Sequence, residues 1–450
     1  MDPMERSSAV WETIDAFKSD KITRRQFHKR LVGLGVSLSV IGSVVKAVGV
    51  RAQSEPNADL SGTVRVYKGP FNADEVANQE EMVASFNEKF PNVQVVVEQF
   101  EWPNQEAQVT ASLASGAHDV YYTAEDKYHK FSPEGGPLLD LQPLVDAWDQ
   151  KDFIQFWDTA KPRGSILAGV PYIWNIQSNL VLNNDLAEAA GVDIDAITQS
   201  PEGLREAAIK MTSPDVWGYV FRHGIPSDGQ YDWQGFMFRN GADLLNEDWS
   251  APAINTPGAV EAVQFMADLI NVDKVSHPFG AYSWSAQRDL FQAGKLGLLT
   301  DEFTFYNILK AADPAIPFEW SFLPFPPGTA NNHMLAFRGF LSIAKNSPNA
   351  EASWELIKHY LDPAVMVPYL NEVGLASVRT DAAETGLFAD NPGLAQLMTD
   401  WGPLAQGPHP HPASLSMVTV AEPYIESVYL GQSDAQAALD QAAGEISGLL

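Results

Sequence analysis

The 450-residue chain contains no cysteine. That excludes disulfides, iron–sulfur clusters, thiolate zinc sites, thiol nucleophiles and lipid attachment through cysteine. It leaves the compartment open, because an oxidising compartment permits disulfides without requiring them. Basic residues are also scarce: 29 Lys and Arg stand against 57 Asp and Glu, a formal net charge of −28. Nine of the 29 fall within residues 1–52, where they outnumber five acids for a net +4; the remaining residues therefore carry about −32. A surface so negative repels phosphate backbones, so nucleic acid is set aside as a partner. No HExxH, GxSxG, Walker or dinucleotide-binding fingerprint occurs, and neither a cofactor nor a metal is expected.

The basic excess is concentrated in TRRQFHKRL, residues 23–31, directly ahead of an apolar, Gly- and Ser-rich run from Leu31 to Val45. Lys46 ends that run before it reaches the roughly 20 residues of a membrane span. Val50-Arg51-Ala52 offers small residues at the spacing of signal-peptide cleavage before Gln53. The cluster resembles a twin-arginine export signal, with His28 where leucine is usual. Residues 1–52 are therefore expected to be an export address, and the folded part to work in the periplasm or outside the cell.

From Ser61 onward, short β-rich runs alternate with helical ones. TVRVY (63–67), VQVVVEQF (93–100) and DVYYT (119–123) read as strands. Between the first two, Met82, Phe86 and Phe90 recur at helical spacing before Pro91. SNLVLNN (178–184), GYVF (218–221), LGLLT (296–300) and a run at 339–344 read as further strands, separated by amphipathic helices. Such alternation predicts an α/β protein with mostly parallel sheets flanked by helices, and about 400 residues is more than one sheet usually organises.

Several strings in this order resemble the sugar-carrying, family-1 type of extracellular solute-binding proteins of ABC importers. They are SLASGAHDVYYT, GVPYIWNIQSNLVLNNDLAEAAGV, FRNGADLLNED, FQAGKLGLLTDEF and LSIAKNSPNAEASWELIKHYLDP, spread between Val64 and Arg379. The resemblance implies a type II periplasmic-binding-protein fold: two α/β lobes, a hinge and a ligand cleft between them. Crossings near Pro171, Gly294 and Pro327 would give a first lobe of 61–171 plus 294–327 and a second of 172–293 plus 328–450.

In open α/β sheets ligands bind beyond the carboxyl ends of strands. The residues found there are Lys68, Trp102, Thr123, Glu125, Asp126, Trp174, Asn175, Arg222, Tyr231, Trp233, Asp301, Glu302, Phe303, Arg338 and Gly339. Aromatics mixed with carboxylates, amides and arginines suit a sugar, whose C–H-rich face packs on a ring while its hydroxyls need polar partners. Trp174, three residues after Pro171, is expected to be the principal platform at the hinge. DEFTF (301–305) and Arg338 depart from the family pattern, which has a Gly-Pro-Trp or Pro-Trp after that strand and two glycines near 338. The departure leaves room for an acidic or highly hydroxylated ligand. PHPHP (408–412) reads as a surface loop, not a metal site, because no third ligand accompanies it.

The expected function is carbohydrate capture, as a monomer, for the permease subunits of an ABC importer. The alternatives are an exported hydrolase using Asp301 and Glu302 as acid and base, or an exported redox enzyme. Adjacency of the two carboxylates disfavours the first, and the missing cysteine and nucleotide fingerprint disfavour the second.

Overall fold

The computed structural model describes residues 59–450 apart from 73 and 225–228, together with Thr13, Ala16, Gln26, Lys29 and Arg30. The expected export signal thus lies outside the described residues, save for those isolated positions.

β1 (Gly62–Lys68), β2 (Val93–Gln99) and β3 (Val120–Ala124) form the parallel part of a first sheet, with β1 between the other two. Val64 and Val66 alternate inward along β1, while Arg65 stays exposed, the period of a strand with one buried face. The helix Glu75–Lys89 comes next, burying Met82 and Phe86 one turn apart. Burial of side chains of this size contributes about 1.5–3 kcal/mol each. The helix Gln105–Ser115 stops at Gly116, whose φ of 66° makes the left-handed cap that glycine adopts without steric cost.

Two long, wholly buried strands complete this sheet: β4 (Gly169–Ile176), then β9 (Met334–Ile343), which runs antiparallel to both β3 and β4. β10 (Ala376–Ser377) closes the far edge. A second sheet has the order β6 (Trp217–Val220), β7 (Leu296–Asp301), β5 (Asn179–Asn183), β8 (Trp320–Leu323). Helices Pro201–Met211, Pro257–Asn271, Ser414–Tyr429 and Ala435–Ser447 pack a core around Leu180, Leu182 and Leu298 of this second sheet. On that sheet's other face Val181, Leu299 and Phe322 pack with Phe291, Phe303 and Phe305, in a cluster continuous with the first lobe's core.

The lobes are therefore divided differently from the expectation. The segment 294–327 is not part of the first lobe: β7 is hydrogen-bonded between β5 and β6, and β8 pairs with β5. Nor does 328–450 stay with the second, since β9, β10 and the helices Ala350–Tyr360 and Pro363–Val373 belong to the first lobe. The chain crosses at Gln177–Ser178, again between Leu323 and Met334, and last after β11 (Ala405–Gln406), which pairs with β9. The sheets are also mixed, not mostly parallel. The first two crossings each deliver a strand running back against its neighbours, so β9 against β3 and β4, and β5 against β7 and β8, are antiparallel.

The three crossings lie side by side. Gln177 donates its backbone N–H to the Leu335 carbonyl at 2.8 Å, and Gln406 pairs with Leu335 from the other side.

Candidate functional site between the lobes

Residues paired across the β4–β9 ladder share a face, and successive pairs alternate. Trp174 pairs with Arg338, and Asn175 with Phe337, so the expected site residues are divided between two faces.

On the Asn175 face, the two lobes meet through polar contacts. Asn175 donates to Glu302 at 2.7 Å and accepts from the Phe303 backbone at 3.3 Å; Gln177 donates to Glu302 at 3.0 Å. Glu302 also accepts from Thr304 at 2.5 Å and lies 3.4 Å from Arg288. Phe337 meets the ring of Tyr231, which heads the helix Gln230–Arg239. Arg222 is fully buried, ion-paired with Asp232 at 2.9 Å and bonded to the Gln177 carbonyl at 2.5 Å. Its guanidinium lies 5.2 Å from the Tyr231 ring centre and 5.6 Å from that of Trp284. Burial raises the Asp232 carboxyl, and Arg222 opposes that rise. Asp301 is held by Arg288 at 2.6 and 2.9 Å and by the Trp284 indole N–H at 3.3 Å. Burial acts to lower the Arg288 guanidinium, but Asp301 outweighs it and the group is raised. Asp301 is thus committed to structure, with both oxygens occupied.

The first lobe contributes an aromatic wall. Trp102, 36% exposed, donates its indole N–H to the Pro70 carbonyl and packs at 5.3 Å from Phe71 and 6.0 Å from Tyr122. The Tyr122 hydroxyl is raised well above its ordinary value, first by burial and then by Asp126, Glu302, Tyr231 and Glu75. Gly339 is required here, because a Cβ on it would fall within the Tyr122 ring. Lys68 serves this wall indirectly. It is buried in an ion pair with Glu75 and bonds to Tyr369 at 3.0 Å, while Glu75 accepts from the Phe71 backbone at 3.1 Å. Burial pushes the Lys68 ammonium down and Glu75 counters it. Asp126 pairs with Lys127 at 2.6 Å.

The other face holds Trp174, Arg338 and Thr123, while Phe303 and Trp233 lie in packed cores. Trp174 is 8% exposed, donates to the Ser377 carbonyl at 2.9 Å, packs on Phe156 and is edged by Gly402. Arg338 lies over the Phe156 ring at 4.8 Å, and its backbone N–H donates to Glu125 at 3.0 Å. Thr123 is buried, its hydroxyl without a hydrogen-bond partner. Phe303 is fully buried and stacked on Trp401 at 5.8 Å, and Trp233 is buried in the second lobe's core. Trp174, Trp233 and Phe303, expected among the ligand-binding residues, therefore occupy packed core positions. PHPHP is likewise not a surface loop. His409 is buried beside Trp249, and the Nδ1 atoms of His409 and His411 accept the backbone N–H groups of His411 and Ala413, leading into the helix Ser414–Tyr429.

Sequence reasoning missed Tyr122, Gln177, Trp284 and Arg288. Trp284 and Arg288 come from the first turns of a helix that precedes its strand, so a search confined to the carboxyl ends of strands passes over them. Their spacing of four puts both on one helix face, with Arg288 4.2 Å from the Trp284 ring centre.

Two α/β lobes crossed by three chain segments, with a polar and aromatic cleft where they meet, define a two-lobed binding protein. A bacterial extracellular solute-binding protein family matches residues 70–367, and the chain belongs to that family. A Brucella abortus (strain 2308) protein described as a binding protein is 22% identical over 395 residues, 87% of this chain and 94% of its own length. Among solved structures, an ABC transporter solute-binding protein of Thermotoga lettingae, bound with α-D-tagatose, superposes with a TM-score of 0.76. It is 22% identical, and the match covers 86% of this chain and all of that one. Maltose-bound MalE3 of T. maritima gives the same TM-score at 21% identity, again over 86% of this chain and all of the other.

Proposed function

We propose that the exported chain captures a carbohydrate between its lobes, as a monomer, and presents it to the permease subunits of an ABC importer. The reading is carried by the aromatic surfaces each lobe bears, Trp102 and Phe71 on the first and Tyr231 and Trp284 on the second, and by the polar junction of Glu302, Asn175 and Gln177. Rings supply the flat apolar surfaces a pyranose packs on, and the carboxylate and amides can exchange their mutual hydrogen bonds for sugar hydroxyls. The bound ligands of the Thermotoga lettingae and T. maritima proteins, tagatose and maltose, agree with that chemistry. The hydrolase alternative needs a proton donor opposite a second carboxylate. Asp301 is instead held by both oxygens against Arg288, which supports capture.

A thermal-shift screen of the mature protein across sugars, polyols, uronates, amino acids and phosphate esters tests the ligand class. At a hundredfold excess over Kd, binding stabilises by about 2.7 kcal/mol, and a sugar or polyol is expected to produce the shift. A shift with amino acids alone would overturn the carbohydrate reading. The proposed export route is tested by Arg24→Lys with Arg25→Lys. This double change is expected to leave the protein inside the cytoplasmic membrane, whereas normal export would point to another route.

A further inference from the structure

On the face of the β4–β9 ladder that carries Trp174, a crevice of about 520 Å³ opens between the first lobe and the last crossing segment. Its floor is Arg338 and Glu125, and its walls include Lys161 and Arg163 on one side and Gly407 and Pro408 on the other. No Trp, Tyr or Phe lines it, so it lacks the flat apolar surface proposed for the carbohydrate.

The Arg338 guanidinium is poorly satisfied where it lies. Arg338 is only 7% exposed, its two nearest oxygens, on Glu125 and Ala405, are each 3.4 Å away, and its Nε has no partner. A buried guanidinium with an orphaned donor is costly, and an oxyanion can accept from a guanidinium fork in a planar, bidentate way. Glu125 is already drawn upon by the Arg338 backbone, so it does not fully answer the side chain. Lys161 and Arg163 stand exposed at the mouth, where Lys161 donates to the Gln142 side chain at 3.0 Å and Arg163 to the Asp248 carbonyl at 3.2 Å; the carboxylates of the lining are Glu125 and Asp158. In a chain of net charge −28, three cations against two carboxylates around one small crevice are a local reversal of sign. Gly407 keeps the space open, because a Cβ there would collide with both Glu125 and Arg338.

We propose that this crevice is a second ligand site, distinct from the inter-lobe cleft, which binds a small oxyanion: the carboxylate or phosphate group of a metabolite. Arg338 receives the anionic group, and Lys161 and Arg163 close over it from the rim. Because the crevice lies between the first lobe and the last crossing segment, its occupant touches the strand that carries the chain between lobes.

Isothermal titration of malonate and of inorganic phosphate into the mature protein, at ionic strength held constant with chloride salt, tests the site. The wild-type protein is expected to bind one of them saturably and one-to-one. A preference for malonate would mark a carboxylate ligand and a preference for phosphate a phosphorylated one. Arg338→Gln is expected to weaken binding by about tenfold or more, the loss of a charge-assisted bond. Because that change also unpairs Glu125, the rim variant Lys161→Gln with Arg163→Gln is measured beside it. It is expected to weaken the anion severalfold without moving the anion-free melting temperature. Trp102→Ala is expected to leave anion binding intact. The proposal is overturned by an absence of saturable binding, by equal affinity in all variants, or by a loss in Trp102→Ala, which would put the anion in the cleft.

Discussion

On one face of the β4–β9 ladder, Trp174 and Arg338 lie under Phe156 and the segment from Gly402 to Gly407; on the other, Asn175 and Phe337 meet Glu302 and Tyr231. Consecutive residues of one short sequence thus enter environments with different tasks. The first face is packed against the first lobe's own segments. The second joins the lobes through side chains that a ligand could engage. Two tryptophans make the contrast concrete. Trp174 is nearly enclosed and donates to a backbone carbonyl within its lobe, whereas Trp102 exposes about a third of its surface beside Phe71. Position at a strand end does not make a residue a ligand contact; the face it occupies decides.

Truncating the enclosed ring should separate the two faces most sharply. Trp174→Ala is expected to cost the ligand-free protein about 3–5 kcal/mol, the range for removing a large core aromatic. The carbohydrate affinity of the remaining folded protein should change little. Denaturant unfolding and titration calorimetry on the same variant check this. A stable variant with affinity lost would return Trp174 to the cleft.

Acid probes both regions at once, since each buries a histidine. His223, next to Arg222, is lowered to about 3 by burial and by His277; His409, in the last crossing, is lowered to about 4, chiefly by burial. Both are held neutral in the fold but take up a proton in the unfolded chain below about 6.5. Their contribution is therefore fully present above that pH and is lost as pH falls toward 4 and then 3. For His223 the slope approaches about 1.4 kcal/mol per pH unit. Unfolding free energies from pH 7 to 4 should show it, and His223→Gln should flatten the curve. An unchanged slope in that variant would contradict the assignment.

A smaller effect is expected at the junction of the lobes. Glu302→Gln keeps the shape but weakens the contacts with Arg288, Asn175 and Gln177. It should reduce carbohydrate affinity by about 1.5–3 kcal/mol, roughly ten- to a hundredfold. Trp102→Ala comes last, with about 0.5–1.5 kcal/mol of affinity lost and the melting temperature nearly unchanged. A large drop in melting temperature would instead make Trp102 a core residue.

Much of the fold was legible because it depends on local periodicity. The alternation in TVRVY and VQVVVEQF, and the Met82–Phe86 spacing, set strands and a helix without reference to the rest of the chain. Strand partners were not legible. LGLLT carries the same apolar signal whichever sheet it enters, and only its pairing with β5 and β6 assigns it to the second lobe. The candidate site was legible in part, for a reason visible at Tyr172. The β4–β9 register shifts between Pro171 and Ile173, adding one residue on β4. Counted at period two from Pro171, Trp174 would face away from Phe340; the extra residue turns it onto the face of Phe340 and Arg338. A one-residue bulge exchanges the faces of every later residue on the strand, and nothing in VPYIWNI announces it. Asn175 and Glu302 were found because strand ends do converge on the junction of the lobes. Trp284 and Arg288 were not, because they reach it from a helix.

The central claim is that a carbohydrate is held between aromatic surfaces of opposite lobes, with Trp102 on one side and Tyr231 on the other. Its most direct test is titration calorimetry of the best carbohydrate from the thermal screen against the wild-type protein and the double variant Trp102→Ala with Tyr231→Ala. One-to-one binding that weakens by about tenfold or more in a variant of near wild-type melting temperature is the expected result. Undiminished affinity in that well-folded variant would contradict the account.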